Sequence, residues 1–245
     1  MRKKIHHLLA NLRLKGMAEV LDEELDLAEK NGTPVCEVIF RLLAKEYSCR
    51  QQRSLDYRLN KAKLPWDWSL KTFPFDKQPG VNQAQIRALE ELTFIERTDN
   101  VVFIGEPGTG KSGLATGLLR TALIAGYRGR FYNAQDLLDE LYASLADQAT
   151  AKLIKRLCNY DLLVIDELGY LTLKKEQANA FFKLMEGRYG KKSTIITTNL
   201  DYSEWYDLFQ RKSLVDALLD RLKHRCITIR INGPSLRIPI ENNPT

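Results

Sequence analysis

Hydrophobic residues in the first part of the chain recur only at helical spacing. They fall three and four positions apart along 8–12 and again along 20–27, and we expect a break between these two helices at Gly16. A third helix is predicted after Asn31-Gly32, with Thr33 as its N-cap and Pro34 at its first position. Pro65 is expected to end it. The pattern therefore predicts a helical N-terminal segment.

From about residue 81 the pattern changes to short apolar runs that alternate with helices. The runs predicted to be strands are 101–104, 130–132, 161–165, 193–198 and 226–231. Strands that alternate with helices in this way predict a parallel sheet covered on both faces. The intervening stretch LPWDWSLKTFPFDKQPG is predicted to be an extended connector whose aromatic residues pack onto the second domain. We therefore expect a helical domain with its connector over 1–76 and an α/β domain over 77–245.

Composition narrows the class of protein. The 245 residues are 44% hydrophobic and 28% charged, which is typical of a globular protein with a buried core. No apolar run approaches the roughly 18 residues that a membrane span needs, and Asn11, Arg13 and Lys15 interrupt the N-terminal apolar stretch, so we expect neither a membrane protein nor a signal peptide. The four cysteines are widely separated, which predicts reduced thiols in a cytoplasmic protein rather than disulfides or a zinc site.

The net charge of +6 is concentrated in two segments. Residues 41–63 carry seven basic and two acidic side chains, and residues 221–237 carry five basic side chains and no acidic one. The first segment is either a solvated helix face or a surface for nucleic acid or for an acidic protein. Composition alone does not choose between these readings.

The most specific motif is a glycine-rich loop between a predicted strand and a predicted helix, which matches GxxxxGK[ST]. Glycines let such a loop approach phosphates closely, while backbone N–H groups and the helix N-terminus supply positive charge. Lys111 would reach the β- and γ-phosphates of a bound nucleotide, and Ser112 would bind Mg²⁺. The predicted nucleotide-binding residues are Gly105, Glu106, Pro107, Gly108, Thr109, Gly110, Lys111 and Ser112.

Two further apolar strands end in polar residues that complement this loop. The run 161–165 leads into Asp166 and Glu167, the arrangement of a Walker B motif. Because parallel strands meet the ligand at their carboxyl ends, Asp166 is predicted to bind Mg²⁺ and Glu167 to act as the general base. Asn199 follows the run 193–198 and is predicted to help position the attacking water, although such a residue is otherwise often a turn or cap residue.

Arg221 lies near the end of a predicted helix, just before the last strand. It is either an arginine finger donated to the γ-phosphate of a neighbouring subunit, which requires self-assembly, or the partner of Asp216 or Asp220 in a salt bridge. Arg211 and Arg237 are weaker candidates for contacts with the nucleotide.

Together these motifs resemble the AAA+ ATPases. The chain is similar, over essentially its whole length, to the IstB-like helper ATPases of bacterial insertion sequences, which are close relatives of the DnaC-type helicase loaders. The segments that carry the similarity are QPGVNQAQIRALEEL, NVVFIGEPGTGKSGLATGLL, DLLVIDELGYLTL, STIITTNLDYSEWYDLF and LLDRLKHRCITIRINGPSLR.

The resemblance implies an AAA+ P-loop NTPase fold, with a parallel five-stranded sheet flanked by helices and preceded by a small all-helical domain. The second domain is short for that superfamily, so we expect no separate C-terminal lid domain. The resemblance also implies an ATPase that assembles as a homo-oligomer on duplex DNA, and the predicted ligands Ser112 and Asp166 imply that it depends on Mg²⁺. The sequence carries no helix-turn-helix or zinc-finger signature for reading bases, so we expect DNA binding without sequence specificity. An arginine finger at Arg221 would place the active sites at subunit interfaces. Such a protein works with a cognate transposase to select or prepare the target of insertion. Carried over by position, the catalytic set is Lys111, Glu167, Asn199 and Arg221.

Two departures from the family pattern stand near the C-terminus. Leu236 replaces the tyrosine of the usual Gly-x-Ser-Tyr-Arg motif, which puts a stacking role of that residue in doubt, and Gln210-Arg211 replaces a common Gly-Asp. Two other functions stay open at this point. One is a replicative helicase loader, and the other is an interaction module that binds nucleotide without hydrolysing it.

Overall fold

A computed structural model of the chain describes residues 1–169 and 173–237. The described residues divide into two compact units, Met1–Arg58 and Leu59 onward. Each unit has its own hydrophobic core, so each is described by itself.

Three helices account for most of the first unit, and the last of them continues past its boundary. They are α1 (Arg2–Asn11), α2 (Lys15–Asn31) and α3 (Val35–Ala62). The small core of this unit consists of buried Leu9, Leu21, Val38 and Leu42, one or two from each helix. The prediction of helices alone in this segment is therefore confirmed.

The break between α1 and α2 is not at Gly16, as predicted, but at residues 12–14, where Arg13 has a φ of +57°. Gly16 lies inside α2 because of close packing: a Cβ there would lie 3.0 Å from the Cα of Glu46 and from the Cβ of Cys49. The buried Glu46 carboxylate accepts the N–H groups of Gly16 at 2.7 Å and of Met17 at 3.3 Å. A distant side chain thus caps α2, which local sequence does not reveal.

Among the described residues of the second unit, five parallel strands form one sheet in the order β2-β3-β4-β1-β5. This order confirms the predicted α/β architecture. The strands are β1 (Asn100–Gly105), β2 (Gly129–Asn133), β3 (Leu162–Asp166), β4 (Ser193–Thr198) and β5 (Cys226–Ile231). The helices are α4 (Gln83–Glu90), α5 (Thr93–Glu96), α6 (Lys111–Ile124), α7 (Ala134–Ala146), α8 (Thr150–Cys158), α9 (Lys175–Arg188), α10 (Trp205–Phe209) and α11 (Lys212–His224).

Alternate residues of each central strand enter cores on opposite faces of the sheet, as the pleat of a strand requires. In β1, Val102 packs into the core that contains residues of α7 to α11, whereas Val101 and Phe103 pack into the core that contains residues of α4 to α6. Strands buried on both faces read as continuous apolar runs, which explains why the sequence located them well. The sheet edge formed by the strand carboxyl ends carries the loop and the acidic motif.

The connector after α3 belongs to the second unit. Two short 3₁₀ helices, Leu70–Thr72 and Phe75–Lys77, lie within it. Its chain is held on α6 by Arg120, whose Nε donates to the Trp68 carbonyl at 2.9 Å and whose guanidinium pairs with Asp67. Phe73 and Phe75 pack against the core of this unit, as the sequence predicted for the aromatic residues of the connector. The two compact units divide at Arg58–Leu59 rather than near residue 76.

Two further observations concern membrane-spanning helices and the cysteines. Along the described residues, no helix combines the length and the hydrophobicity needed to cross a membrane. Cys36, Cys49, Cys158 and Cys226 are all free thiols.

Candidate functional site

The glycine-rich loop leaves the carboxyl end of β1 and ends where α6 begins at Lys111. Gly108 and Gly110 have φ values of +83° and +93°, a region that glycine enters at little cost. The buried Thr109 hydroxyl donates to the carbonyl of Glu106 at 2.7 Å and so braces the turn. The loop therefore turns at two glycines in a backbone conformation that other residues adopt only at a cost.

Lys111 extends along this loop rather than into solvent. Its Nζ donates to the carbonyls of Gly105 at 2.7 Å and Glu106 at 2.9 Å. Partial burial lowers the pKa of this ammonium group, and the neighbouring carboxylates of Asp166 and Glu106 oppose that shift. A desolvated ammonium in this position favours a strongly anionic partner, because such a partner replaces the lost hydration.

Asp166 ends β3 and lies beside the first turn of α6. Only 4% of this residue is exposed, and burial raises the pKa of its carboxyl group. Hydrogen bonds from the hydroxyl groups of Thr197 and Ser112 oppose that shift, the first at a donor–acceptor distance of 2.5 Å. A buried carboxylate that shares a site with a hydroxyl oxygen fits a hard divalent cation such as Mg²⁺, which prefers oxygen ligands.

Glu167 is exposed and follows Asp166 in an unusual backbone conformation, with a φ of +62°. Non-glycine residues adopt this left-handed region at some cost. Three contacts with Thr197 hold the turn: the Glu167 N–H donates to the Thr197 hydroxyl at 2.9 Å, the Leu168 N–H donates to the Thr197 carbonyl at 2.9 Å, and the same hydroxyl donates to Asp166. Thr197 thus links both acidic residues.

Asn133 makes a second contact with Glu167. Its Nδ2 donates to Glu167 Oε2 at 3.1 Å, while its Oδ1 accepts the N–H of Gln135 and caps α7. Sequence reasoning identified neither Thr197 nor Asn133. The signal available for both was their place at the carboxyl end of a predicted strand, since that edge of a parallel sheet carries the ligand.

The structure places Asn199 beside the same turn. A Cβ built on Gly169, two residues after Glu167, would lie 2.3 Å from Asn199 Oδ1. The predicted residues Lys111, Ser112, Asp166, Glu167 and Asn199 therefore lie around one edge of the sheet.

A cavity of about 590 Å³ opens at this edge. Its polar wall includes Lys111, Ser112 and Glu167, and its aromatic wall includes Trp66 and Trp68. The two tryptophan rings stack with their centroids 4.8 Å apart and are 48% and 43% exposed. A phosphate-binding loop beside exposed aromatic rings fits a nucleoside triphosphate, with phosphates on one wall and the base against the other.

Of the three arginines that the sequence offered, two lie away from this cavity. The side chain of Arg221, on α11, is 43% exposed and pairs with Glu186 at 3.5 Å instead of with Asp216 or Asp220. It lines a different, small cavity with Asn100, the first residue of β1, at the amino-terminal edge of the sheet.

Arg211 donates to Asn179 Oδ1 at 2.5 Å. Arg237 does line the large cavity, together with Leu236. Its charge contributes to lowering the pKa of Lys111, so the two cations face the same space.

Comparison with known proteins identifies a matching family and several similar proteins. The family model described as IstB-like ATP binding protein matches residues 7–243. A protein of Pseudomonas aeruginosa described as an ATP-binding protein of insertion sequence IS21 is 35% identical over 94% of this chain and 87% of its own length. The corresponding protein of insertion sequence IS5376 of Geobacillus stearothermophilus is 34% identical over 97% of this chain and 95% of its own length.

Among solved structures, the crystal structure of the DnaC helicase loader is similar, with a TM-score of 0.60 and 29% identity over 70% of this chain and all of that one. The DnaI structure matches with a TM-score of 0.59 at 17% identity over 68% of this chain and 92% of that one, which shows a shared fold. The fold is thus that of the AAA+ proteins. With the family model spanning nearly all of the sequence, the chain belongs to the family of IstB-like ATP-binding proteins.

Proposed function

We propose that this protein is a Mg²⁺-dependent ATPase that serves an insertion sequence, acting on duplex DNA as a helper of its transposase. The observation that carries the ATPase proposal is the convergence of Lys111, Ser112, Asp166 and Glu167 at one edge of the sheet. Family membership and the insertion-sequence relatives support the biological role.

The residues at this edge of the sheet would have separate roles in binding the phosphates, holding Mg²⁺ and activating water. The loop N–H groups and Lys111 would bind the β- and γ-phosphates, while Ser112 and Asp166 would hold Mg²⁺. When bound, Mg²⁺ would neutralise charge on the phosphate oxygens. Glu167 would accept a proton from the attacking water, with Asn133 orienting its carboxylate and Asn199 positioning the water.

The aromatic connector would receive the nucleoside. Trp68 packs close to α6: a Cβ on Gly113, the residue after Ser112, would lie 2.8 Å from its ring. Stacking of a base on a tryptophan contributes about 1–3 kcal/mol. This wall supports binding of a nucleotide rather than of phosphate alone.

Arg221 is proposed to act in a neighbouring copy of the chain. It lies at the opposite edge of the sheet from Lys111, so it serves no nucleotide bound in its own subunit. Its side chain is partly exposed, and among the residues that the structure describes it forms one ion pair, at 3.5 Å, so the guanidinium is available to a γ-phosphate across a subunit interface. Self-assembly would then be a condition of full activity.

Contacts with DNA are assigned to the first basic segment in preference to the second. In residues 221–237, Arg225 donates to the Arg97 carbonyl and Arg230 forms a two-point pair with Asp201, so both are engaged within the chain. On α3, Lys45 and Arg53 are exposed and make no ion pair with any described residue. Phosphate contacts of this kind give affinity without sequence specificity.

Steady-state ATP turnover, measured with and without duplex DNA over a range of salt, tests this function. We expect Mg²⁺-dependent hydrolysis that duplex DNA stimulates, and DNA affinity that falls steeply as salt rises. DNA binding that does not change with salt would contradict the assignment to phosphate contacts.

A DnaC-like helicase loader is the second candidate, favoured by the 29% identity to that structure over its whole length. Strong preference for single-stranded DNA, or stable capture of a replicative helicase, would support the loader and reject the transposition role. Absence of turnover under all of these conditions would instead favour a nucleotide-dependent interaction module.

A further inference from the structure

Gln78 is a fully buried polar residue at the end of the aromatic connector, with 0% of its surface exposed. Its side-chain amide donates twice: Nε2 lies 3.2 Å from the carbonyl oxygen of Thr109 and 2.8 Å from that of Pro234. Its Oε1 has no hydrogen-bond partner among the described residues. Burial of an amide oxygen without a hydrogen-bond partner costs free energy. The two hydrogen bonds that Gln78 does make must therefore explain why a glutamine is buried at this position.

The surrounding backbone is shaped to admit this side chain. A Cβ on Gly233 would lie 1.7 Å from Gln78 Oε1, and a Cβ on Gly80 would lie 2.3 Å from the carbonyl oxygen of Asn232. The connector and the segment after β5 therefore cross at a distance that only glycine permits on both sides. Gln78 sits at this crossing and reaches the phosphate loop from it.

A second bond of the same kind lies next to the first. The N–H of Leu236 donates to the carbonyl of Gly108 at 2.8 Å, and a Cβ on Gly108 would lie 2.1 Å from the Ser235 hydroxyl oxygen. The carbonyls of two successive loop residues, Gly108 and Thr109, are thus both bound by groups outside the loop.

These bonds fix the direction of the loop peptides. In a planar trans peptide the C=O and the following N–H point in opposite directions. With the Thr109 carbonyl turned toward Gln78, the N–H of Gly110 is turned away from Gln78, and Gly110 lines the cavity beside Lys111 and Ser112. An N–H on that side is a donor for a phosphate oxygen.

We propose that Gln78 is a positioning residue, which pre-orients the phosphate-binding loop and joins it to the C-terminal segment that brings Arg237 to the cavity. This inference rests on the proposed nucleotide site and adds to it a residue that lies outside every motif. Because Gln78 acts through the Thr109 and Pro234 carbonyls, its effect is on the affinity for phosphates and not on the base or on Glu167.

The test compares Gln78→Met with Gln177→Met. Methionine keeps the length of glutamine but donates no hydrogen bond. Gln177 is also buried, at 5% exposure, and also makes two hydrogen bonds, with the Lys174 N–H and with Asp139, but it does not line the cavity. Comparing the two variants thus distinguishes the general effect of removing a buried glutamine from the specific effect of losing the hydrogen bond to the loop.

Calorimetry measures the dissociation constants of two probes, a non-hydrolysed ATP analogue and inorganic tripolyphosphate, below the unfolding temperature of each variant. For Gln78→Met we expect both dissociation constants to rise by the same factor, about tenfold, from the loss of one pre-orienting contact. In turnover assays, KM for ATP should rise by a similar factor while kcat changes less than about twofold. Gln177→Met should bind both probes like the wild type.

Unchanged affinity in folded Gln78→Met, or an equal loss in Gln177→Met, would overturn the proposal. If Gln78→Met does not fold, Gln78→Asn carries the same expectation, because its amide is one methylene too short to reach both carbonyls. A wild-type protein that binds neither probe would instead reject the proposed nucleotide site, so the two failures are distinguishable.

Discussion

Replacing Thr197 with valine removes the hydroxyl that links the two acidic residues while keeping the shape of the side chain. Thr197 is fully buried, donates to Asp166 at 2.5 Å and accepts the N–H of Glu167 at 2.9 Å. The substitution therefore leaves a buried carboxylate with one donor fewer and an amide without its partner. It also releases one of the contacts that hold Glu167 at a φ of +62°.

The expected loss in the free energy of unfolding follows from these two hydrogen bonds. A neutral amide bond contributes about 1 kcal/mol and a bond to a charged group about 1.5–3 kcal/mol, so the free energy of unfolding should fall by about 2.5–4 kcal/mol. For a protein of this length, that loss lowers Tm by about 5–16 °C. A displacement of about 1 Å at a catalytic group costs up to about 100-fold in rate, so we expect kcat to fall about 10- to 100-fold.

Thr116→Val is the matched control. The Thr116 side chain is fully buried in α6, and its hydroxyl has no hydrogen-bond partner among the described residues. Valine should therefore stabilise the protein, by about 1 kcal/mol, and leave turnover unchanged. Thermal unfolding and phosphate release are measured on both variants. If Thr197→Val turns over ATP within twofold of the wild type and keeps its Tm, the argument that Thr197 holds Glu167 in place is refuted.

Three other substitutions test separate parts of the account. Arg221→Ala should lower DNA-stimulated turnover by roughly 10³- to 10⁵-fold, the loss typical of arginine fingers, while titration should give a dissociation constant for ATP within about threefold of the wild type. Normal turnover in this variant would contradict the proposed role of Arg221 in a neighbouring copy. Trp68→Ala should weaken ATP binding at least fivefold in calorimetry, since base stacking contributes about 1–3 kcal/mol, and leave tripolyphosphate binding unchanged; equal losses for both ligands would contradict the base-binding wall. A hydrogen bond from Arg50 lowers the pKa of Glu46 below its ordinary value of 4.5, and the N–H groups of Gly16 and Met17 add to this shift. The ionised carboxylate therefore stabilises the folded state above pH 4.5, and this stabilisation is lost as pH falls through the lowered pKa. The Tm of the wild type should therefore exceed that of Glu46→Gln at pH 7, with a gap that narrows toward pH 3; a gap independent of pH would argue against an ionised Glu46.

The parts of this site that the sequence predicted are those encoded by contiguous residues. The loop Gly105 to Ser112 begins at the last residue of β1, and the acidic pair Asp166 and Glu167 begins at the last residue of β3. Both strands are buried on both faces. Such strands appear as uninterrupted apolar runs, and the residues after them are expected at the ligand edge of a parallel sheet.

The parts that the sequence did not predict depend on which strands are neighbours. Thr197 reaches Asp166 and Glu167 because β3 and β4 are adjacent, with Ile165 paired to Ile196. Asn133 reaches Glu167 because β2 flanks β3 on its other side. Nothing in the local sequence distinguishes either residue from an ordinary polar residue at the end of a strand, since pairing order is a property of the whole fold.

Long-range contacts also explain the error at Gly16. Glycine ordinarily weakens a helix by roughly 1 kcal/mol, so a break there was the reasonable expectation. The close approach of Glu46 and Cys49 instead requires glycine within α2, and the Glu46 carboxylate supplies the cap. Tertiary packing thus overrode the local preference.

The central claim is that ATP is hydrolysed at this site with Glu167 as the general base. Glu167→Gln replaces the carboxylate by an amide of the same shape, which accepts no proton. In parallel titration and phosphate-release measurements, we predict a dissociation constant for ATP within about threefold of the wild type and turnover reduced by about 10²- to 10⁴-fold. Hydrolysis by Glu167→Gln at the wild-type rate would contradict the account.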